Sequence, residues 1–145
     1  MLNEKVIVKG HWLIEGCDGT RLEWDNVVVQ GFFTNVISRL NGGSAALNVT
    51  HIATGTGTNA AAKSDTALQT EFFRKALSSK STTATTFVAK LSLAPSESVT
   101  TIRELGVFID ATDTAGSGTL LSRCNVSFTK NASTQYLMTY TLTIQ

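Results

Sequence analysis

Two histidines, two cysteines and a few carboxylate–arginine neighbours are the residues of this chain whose types suit chemistry. His11, His51, Cys17 and Cys124 are all metal-ligand types. Structural zinc sites draw their ligands from closely spaced pairs, and these four residues are scattered. His11 beside Trp12, and His51 within an apolar run, read better as strand residues with satisfied ring nitrogens. Gly55-Thr56-Gly57-Thr58 is glycine-rich enough to test as a phosphate loop. Such a loop ends in Gly-Lys-Ser/Thr at the start of a helix, and Lys63-Ser64 is displaced with no glycine before it. A dinucleotide fingerprint would need a third glycine and a βαβ unit. Serines are plentiful, but no G-x-S-x-G elbow occurs. Glu71 and Glu104 could be paired carboxylates. A part-buried carboxylate near arginine is more often a structural ion pair than a general acid, so pairing with Arg74 or Arg103 is expected. The expectation is a protein with no enzymatic activity, no cofactor and no metal.

The residues left standing cluster in one stretch, HIATGTGTNAAAKSDTALQTEFFR, from His51 to Arg74. It reads as a structural corner. Gly55 and Gly57 would shape a tight turn by taking positive φ. Asp65 would cap a short helical turn running through Leu68 to Glu71. Glu71 with Arg74 would anchor the exit against the strand Ile102–Phe108, which carries Glu104.

The elements that must hold this corner are mostly strands. Lys5 to Ile14 alternates with period 2, with a bend or bulge expected near Gly10. Cys17-Asp18-Gly19-Thr20 is a turn, and Arg21 to Trp24 a short extended return. Asp25 and Asn26 are good N-cap residues for a helix. Behind them Val29, Phe32, Phe33, Val36, Ile37 and Leu40 fall at helical spacing, and Asn41-Gly42-Gly43 supplies the stop. So wide an apolar stripe is expected to be buried against a sheet. Strands follow at Asn48–Thr54, Thr82–Leu93, Thr100–Ile109, Thr119–Thr129 and Gln135–Ile144. The parity of apolar residues changes near Glu104, which predicts a bulge around Gly106. Phe72 and Phe73 are neighbours and point to opposite sides, one of them towards the core. The fold expected is mainly β, an antiparallel sandwich or open barrel with one amphipathic helix near the N-terminus and a short helical turn.

Composition agrees. The 145 residues suit a single domain, 1–145. Hydrophobic residues make up 42% and charged residues only 16%. Threonine, serine and alanine fill the difference, and β-branched threonine favours pleated surfaces. The net charge of +1 gives no reason to expect nucleic acid or an anionic membrane as a partner. No apolar stretch approaches the length of a membrane span. No secretory leader is visible, so synthesis in a cytoplasm and two free thiols are expected. Trp12, Trp24, Tyr136 and Tyr140 could form an aromatic platform for a carbohydrate or receptor. Aromatics dominate cores and interfaces, so a place in the core is the better expectation.

The ordered segments HIATGTGTNAAAKSDTALQTEFFR, TTFVAKLSLAPSESVTTIRELGVF and GTLLSRCNVSFTK, with the closing YLMTYTLTI, resemble a family of small tailed-bacteriophage virion proteins. In that family a segment xIAxGTGTxxxxxxDTxLxxE precedes strands carrying IxExGxF and LLxRxxF, and the chain ends in an alternating strand. The likeness covers nearly everything after Trp24. It implies a self-assembling structural protein, first a tail, baseplate or fibre component and second a capsid decoration protein. The partners implied are copies of itself, as a trimer or hexamer, and other virion proteins. Cys17, Cys124 and the strand Lys5–Ile14 depart from the pattern. Residues 1–20 would then suit an arm or a strand exchanged between subunits.

Overall fold

The computed structural model describes residues 4–145. Among them lie nine strands and one helix: β1 (Val8–Gly16), β2 (Arg21–Val28), α1 (Gln30–Leu40), β3 (Val49–Gly55), β4 (Glu71–Ala76), β5 (Ser79–Thr82), β6 (Thr86–Leu93), β7 (Thr101–Ile109), β8 (Thr119–Thr129) and β9 (Tyr136–Ile144). All paired strands are antiparallel, in the order β4-β3-β7-β8-β2-β1-β9-β6-β5. The result is an open, half-barrel sheet, as the period-2 runs and regular turns predict.

Its concave face carries the main core. Trp12 and Ile14 of β1, Leu91 and Leu93 of β6, Leu105 and Val107 of β7, and Met138 and Tyr140 of β9 are all fully buried there. A second, smaller core of Val29, Ala53, Leu68, Phe108 and Leu120 lies apart from it. It forms where β8 changes parity. β7 and β8 slip register between Ile102 and Glu104 and again between Val107 and Phe108, with the extra residue on β8 each time. These two irregularities flank Gly106, where the sequence places one bulge.

The two margins of the sheet meet at one corner. β4 runs through Leu77 and Ser78 directly into β5, so one stretch of chain edges both halves. The Leu77 N–H donates to Thr50 O at 3.0 Å and the Ser78 N–H to Lys90 O at 2.8 Å. Lys75 Nζ reaches Ser92 O and Glu97, and Lys80 Nζ donates to Val49 O at 3.1 Å. Side chains therefore staple a margin that the backbone ladder leaves open.

Four expectations change at the N-terminal end. β1 runs unbroken through Gly10, which pairs with Asn26 on one side and Leu142 on the other, with no bend or bulge. β1 is an interior strand of its own sheet, in register with β9 over nine residue pairs, where the sequence suggests an arm. Met1–Asn3, the first residues of that expected arm, lie outside the described residues. Asp25 and Asn26 do not cap the helix. They belong to β2, and the N-cap is Val29, with no side-chain cap. The reason is tertiary: β2 gains ladder bonds to β1 and β8, which outweigh a local cap. Finally, the helical stripe is only half covered. Phe32 packs against the main core, whereas Ile37 is 64% exposed and Leu40 79%.

Candidate functional site

The outer side of β3, β7 and β8 is where the predicted corner residues gather. Glycine at 106 creates the opening: a side chain there would press on Leu68, which lies over it. The segment 56–70 folds across this face, and a buried carboxylate pins it. Glu104, with no exposed surface, accepts hydrogen bonds from the backbone N–H groups of Gly57 at 3.0 Å, Gln69 at 2.9 Å and Thr70 at 2.7 Å. Arg123 Nε donates to the same carboxylate at 2.9 Å, and a terminal nitrogen of the guanidinium lies 2.8 Å away.

Arg123 is itself 1% exposed and spends its remaining donors on the same segment. One terminal nitrogen bonds Asp65 Oδ2 at 2.9 Å, and the other bonds Asn59 O at 3.1 Å and the Asn59 side-chain oxygen. Asn125 adds two more ties, accepting from the Ala61 N–H and donating to Asn59 O. Gln69 Oε1 accepts from the Asn59 N–H. A loop that carries many backbone polar groups can lie on an apolar face only if those groups find partners, and here they do. Burial pulls the Asp65 pKa upwards, but the Ala62 N–H and the Arg123 guanidinium outweigh it and hold it below its ordinary value.

Arg74 forms a second, adjoining centre. It makes a two-pronged pair with Glu71, at 3.0 and 2.7 Å. It also donates to Ser117 O and to Ser117 Oγ, both at 2.9 Å, and lies over the Phe108 ring at 4.2 Å. Arg74, paired with Glu71, thus reaches from β4 to Phe108 of β7. It extends to the 110–118 loop, which the sequence does not point to.

Three expectations about the corner are corrected. Gly55 and Gly57 are not at positive φ. They are glycines because a Cβ at either would run into the Glu104 carboxylate, and at Gly55 also into Thr70 O. Asp65 does not start a helical turn. Residues 65–70 are irregular, and the Asp65 carboxylate instead accepts from the Ala62 N–H at 2.9 Å, closing its loop from the far side. Glu104 pairs with Arg123, and Arg103 is exposed. Arg123, Asn59 and Asn125 are the members that sequence reasoning misses. A signal for Arg123 was present: the alternation through Leu121, Cys124, Val126 and Phe128 breaks parity across residue 123.

No family model matches the chain, and no curated protein or solved structure does.

The remaining candidates lie apart. His11 faces outward between Asp25, at 3.1 Å, and Glu23, at 3.3 Å, and these carboxylates raise its pKa, Asp25 foremost. His51 is buried at the edge of β3, with Thr50 Oγ1 on one ring nitrogen and Asp113 on the other. This hydroxyl–imidazole–carboxylate chain has the composition of a catalytic triad. However, Thr50 Oγ1 already accepts the Ala111 N–H at 2.9 Å and lies 3.3 Å from Ala111 O, so it is tied into the margin of the sheet. Cys17 is exposed in the β1–β2 turn, and Cys124 is buried against Asp25 O. Burial pushes the Cys124 thiol up to about 12, with the Asp25 charge adding to it. Among the described residues no group of three or more His, Cys, Asp or Glu is placed to hold a metal ion. Trp12, Tyr136 and Tyr140 are core residues, and Trp24 stacks on Phe128 at 5.7 Å, so the four do not form an open platform.

What the central cluster can do chemically follows from its bonding. A carboxylate that accepts three amide N–H groups and an arginine has no free oxygen directed at a substrate. It acts as a clamp, converting a 15-residue loop into a fixed part of the sheet's outer layer.

Proposed function

We propose that this chain is a non-enzymatic structural subunit of a tailed-bacteriophage virion, one that associates with copies of itself and with neighbouring virion proteins. Its first place is the tail, as a tail, baseplate or fibre component, and its second is the capsid surface, as a decoration protein. The family likeness of the ordered motifs between residues 51 and 144 supplies the virion setting. The observation that carries the self-association is the helix α1. Its outer apolar residues Phe33, Ile37 and Leu40 remain exposed, and Val6 shares a surface cleft with Phe33. A helix with a uniformly polar outer side would need nothing further, whereas this stripe leaves large apolar side chains in water. The occupant of this stripe is a second copy of the chain, in a closed threefold or sixfold ring.

Two measurements test it. Light scattering on the purified full-length chain should give the mass of a trimer or hexamer. A monomer at tens of micromolar would remove the self-association. Virus particles grown in a host carrying the gene, separated into heads and tails, should hold the chain in the tail fraction. Recovery with the heads would favour decoration, and absence from both would refute the virion reading.

A further inference from the structure

Asn41 is the only asparagine of the chain that glycine follows. It is the C-cap of α1, exposed, at φ −86° and ψ 13°, and the exposed Gly42 follows at φ 77°. The space beside Gly42 is open, since a Cβ there would meet nothing within 4 Å. The other asparagines among the described residues are placed differently. Asn35, Asn48, Asn59, Asn125 and Asn131 each have a side-chain hydrogen bond within the protein. Asn26 lies inside β2 with its amide buried. All of these are followed by valine or alanine, whose side chains shield the next backbone nitrogen.

An asparagine side chain is one ring closure away from the backbone nitrogen of the next residue. That nitrogen, having lost its proton, attacks Cγ. The bond from Cγ to the side-chain nitrogen breaks, and ammonia leaves with a proton taken from water. Water then opens the succinimide. Opening at one carbonyl gives aspartate, and opening at the other gives isoaspartate, in which the chain runs through the side-chain carbon. Glycine favours the closure because it leaves the nitrogen unshielded and lets the backbone reach the ring geometry. In the closed cap this nitrogen is engaged: the Gly42 N–H donates to Arg39 O at 3.1 Å, and the Gly43 N–H to Ser38 O at 2.8 Å. The reaction therefore runs through the frayed last turn. That turn is weakly held, because Ile37, Leu40 and Asn41 are all exposed and helix ends open readily where few buried contacts oppose it.

We propose that Asn41 is a deamidation site, whose conversion to aspartate and isoaspartate dismantles the C-cap of α1. Aspartate puts a negative charge at the negative end of the helix dipole. Isoaspartate adds a backbone atom and breaks the spacing of the Gly42 and Gly43 hydrogen bonds. Both products loosen the turn that presents Ile37 and Leu40, so a free subunit loses part of its apolar stripe with age and an assembled one keeps it. This last consequence rests on the self-association proposed above, and the reaction itself does not.

The test follows the purified full-length chain for days at mildly alkaline pH, with and without urea. Peptide mass spectrometry should show the folded chain exchanging amide for acid at Asn41 ahead of every other asparagine, split between aspartyl and isoaspartyl forms. Asn41→Gln, whose longer side chain closes its ring far more slowly, should lose this conversion. An Asn41 that stays intact in the folded chain but converts in urea would overturn the proposal, because the cap would then protect it. Earlier conversion at another asparagine would overturn it too. Light scattering on fresh and aged chain reads the consequence separately: the oligomer should be lost in step with conversion in the wild type and kept in Asn41→Gln. A fresh chain that is already monomeric removes the self-association and leaves the modification standing. An oligomer unchanged after full conversion refutes the loosening of the stripe.

Discussion

Glu104→Gln isolates the clamp with the least change of shape. One Glu104 oxygen takes the N–H groups of Gly57 and Thr70, and the other takes those of Gln69 and Arg123. A glutamine side chain must place its NH2 where one of these oxygens stands. Whichever way the amide turns, two donors then meet a donor, and the guanidinium of Arg123 loses its fully buried counterion. Its other carboxylate partner, Asp65, is 20% exposed at the side chain and holds a single contact. Removing one member of a buried ion pair costs about 3–5 kcal/mol, because the uncompensated charge stays behind. At about 3 °C per kcal/mol for a domain of this size, the melting temperature should fall by about 10 °C. Circular dichroism melting at neutral pH reads this directly. The double variant Glu104→Met with Arg123→Met should recover part of the loss, since apolar replacement of a whole buried pair is often tolerated. A Glu104→Gln protein melting within about 2 °C of wild type would refute the clamp, given a coupling of this size.

Four further outcomes are expected. Gly55→Val should destabilise by about 1–3 kcal/mol in urea titrations, the usual range for overpacking, because its Cβ meets Thr70 O as well as Glu104. Arg74→Ala should cost about 3 kcal/mol by the same measurement, as Glu71 loses a buried partner and Phe108 its cation, and an unchanged midpoint would count against the second anchor. A thiol reagent at pH 8 should label one cysteine in the native chain, the exposed Cys17, and Cys124 only after denaturation, since burial holds its pKa at about 12. On acidification, stability should be lost as pH falls through the lowered folded pKa values of Glu97 and Asp65. Glu97 is held below its ordinary 4.5 by Lys75 and then by the Ala94 N–H. A depressed carboxylate contributes fully above its unfolded pKa and nothing below its folded one, so Lys75→Met should flatten this acid limb.

The strands after residue 85 were legible in the sequence because their period-2 pattern reports a sheet with one buried face. Thr119–Thr129 is matched residue for residue, and Phe73 enters the core while Phe72 stays 53% exposed, as adjacent strand residues must. The helix start was misplaced because Asp25 and Asn26 look like caps to any local rule, and only pairing with β1 and β8 makes them strand residues. Glu71 and Arg74 are near in sequence, but strand alternation alone would set residues three apart on opposite sides, and the register shift at Gly55 is what brings them together. Glu104 with Arg123 was not legible, since the partners lie 19 positions apart and are brought together by the β7–β8 ladder. Arg103, the nearer arginine, is adjacent to Glu104 along a strand and so points the opposite way.

The two glycines of the 55–58 segment show what kind of signal this was. A GTGT run attracts attention as a turn or a phosphate cradle, both of which use glycine for its backbone freedom. Here glycine serves by lacking a side chain, so that a carboxylate from β7 can sit against the backbone and collect amide N–H groups. The same amides would be the ligand-binding donors of a phosphate loop. In this chain an internal glutamate already occupies that role, neutralised by an internal arginine. A built-in anion removes the need for an external one and ties the loop permanently to the sheet. Such a site is suited to holding the outer surface of β3, β7 and β8 in one shape.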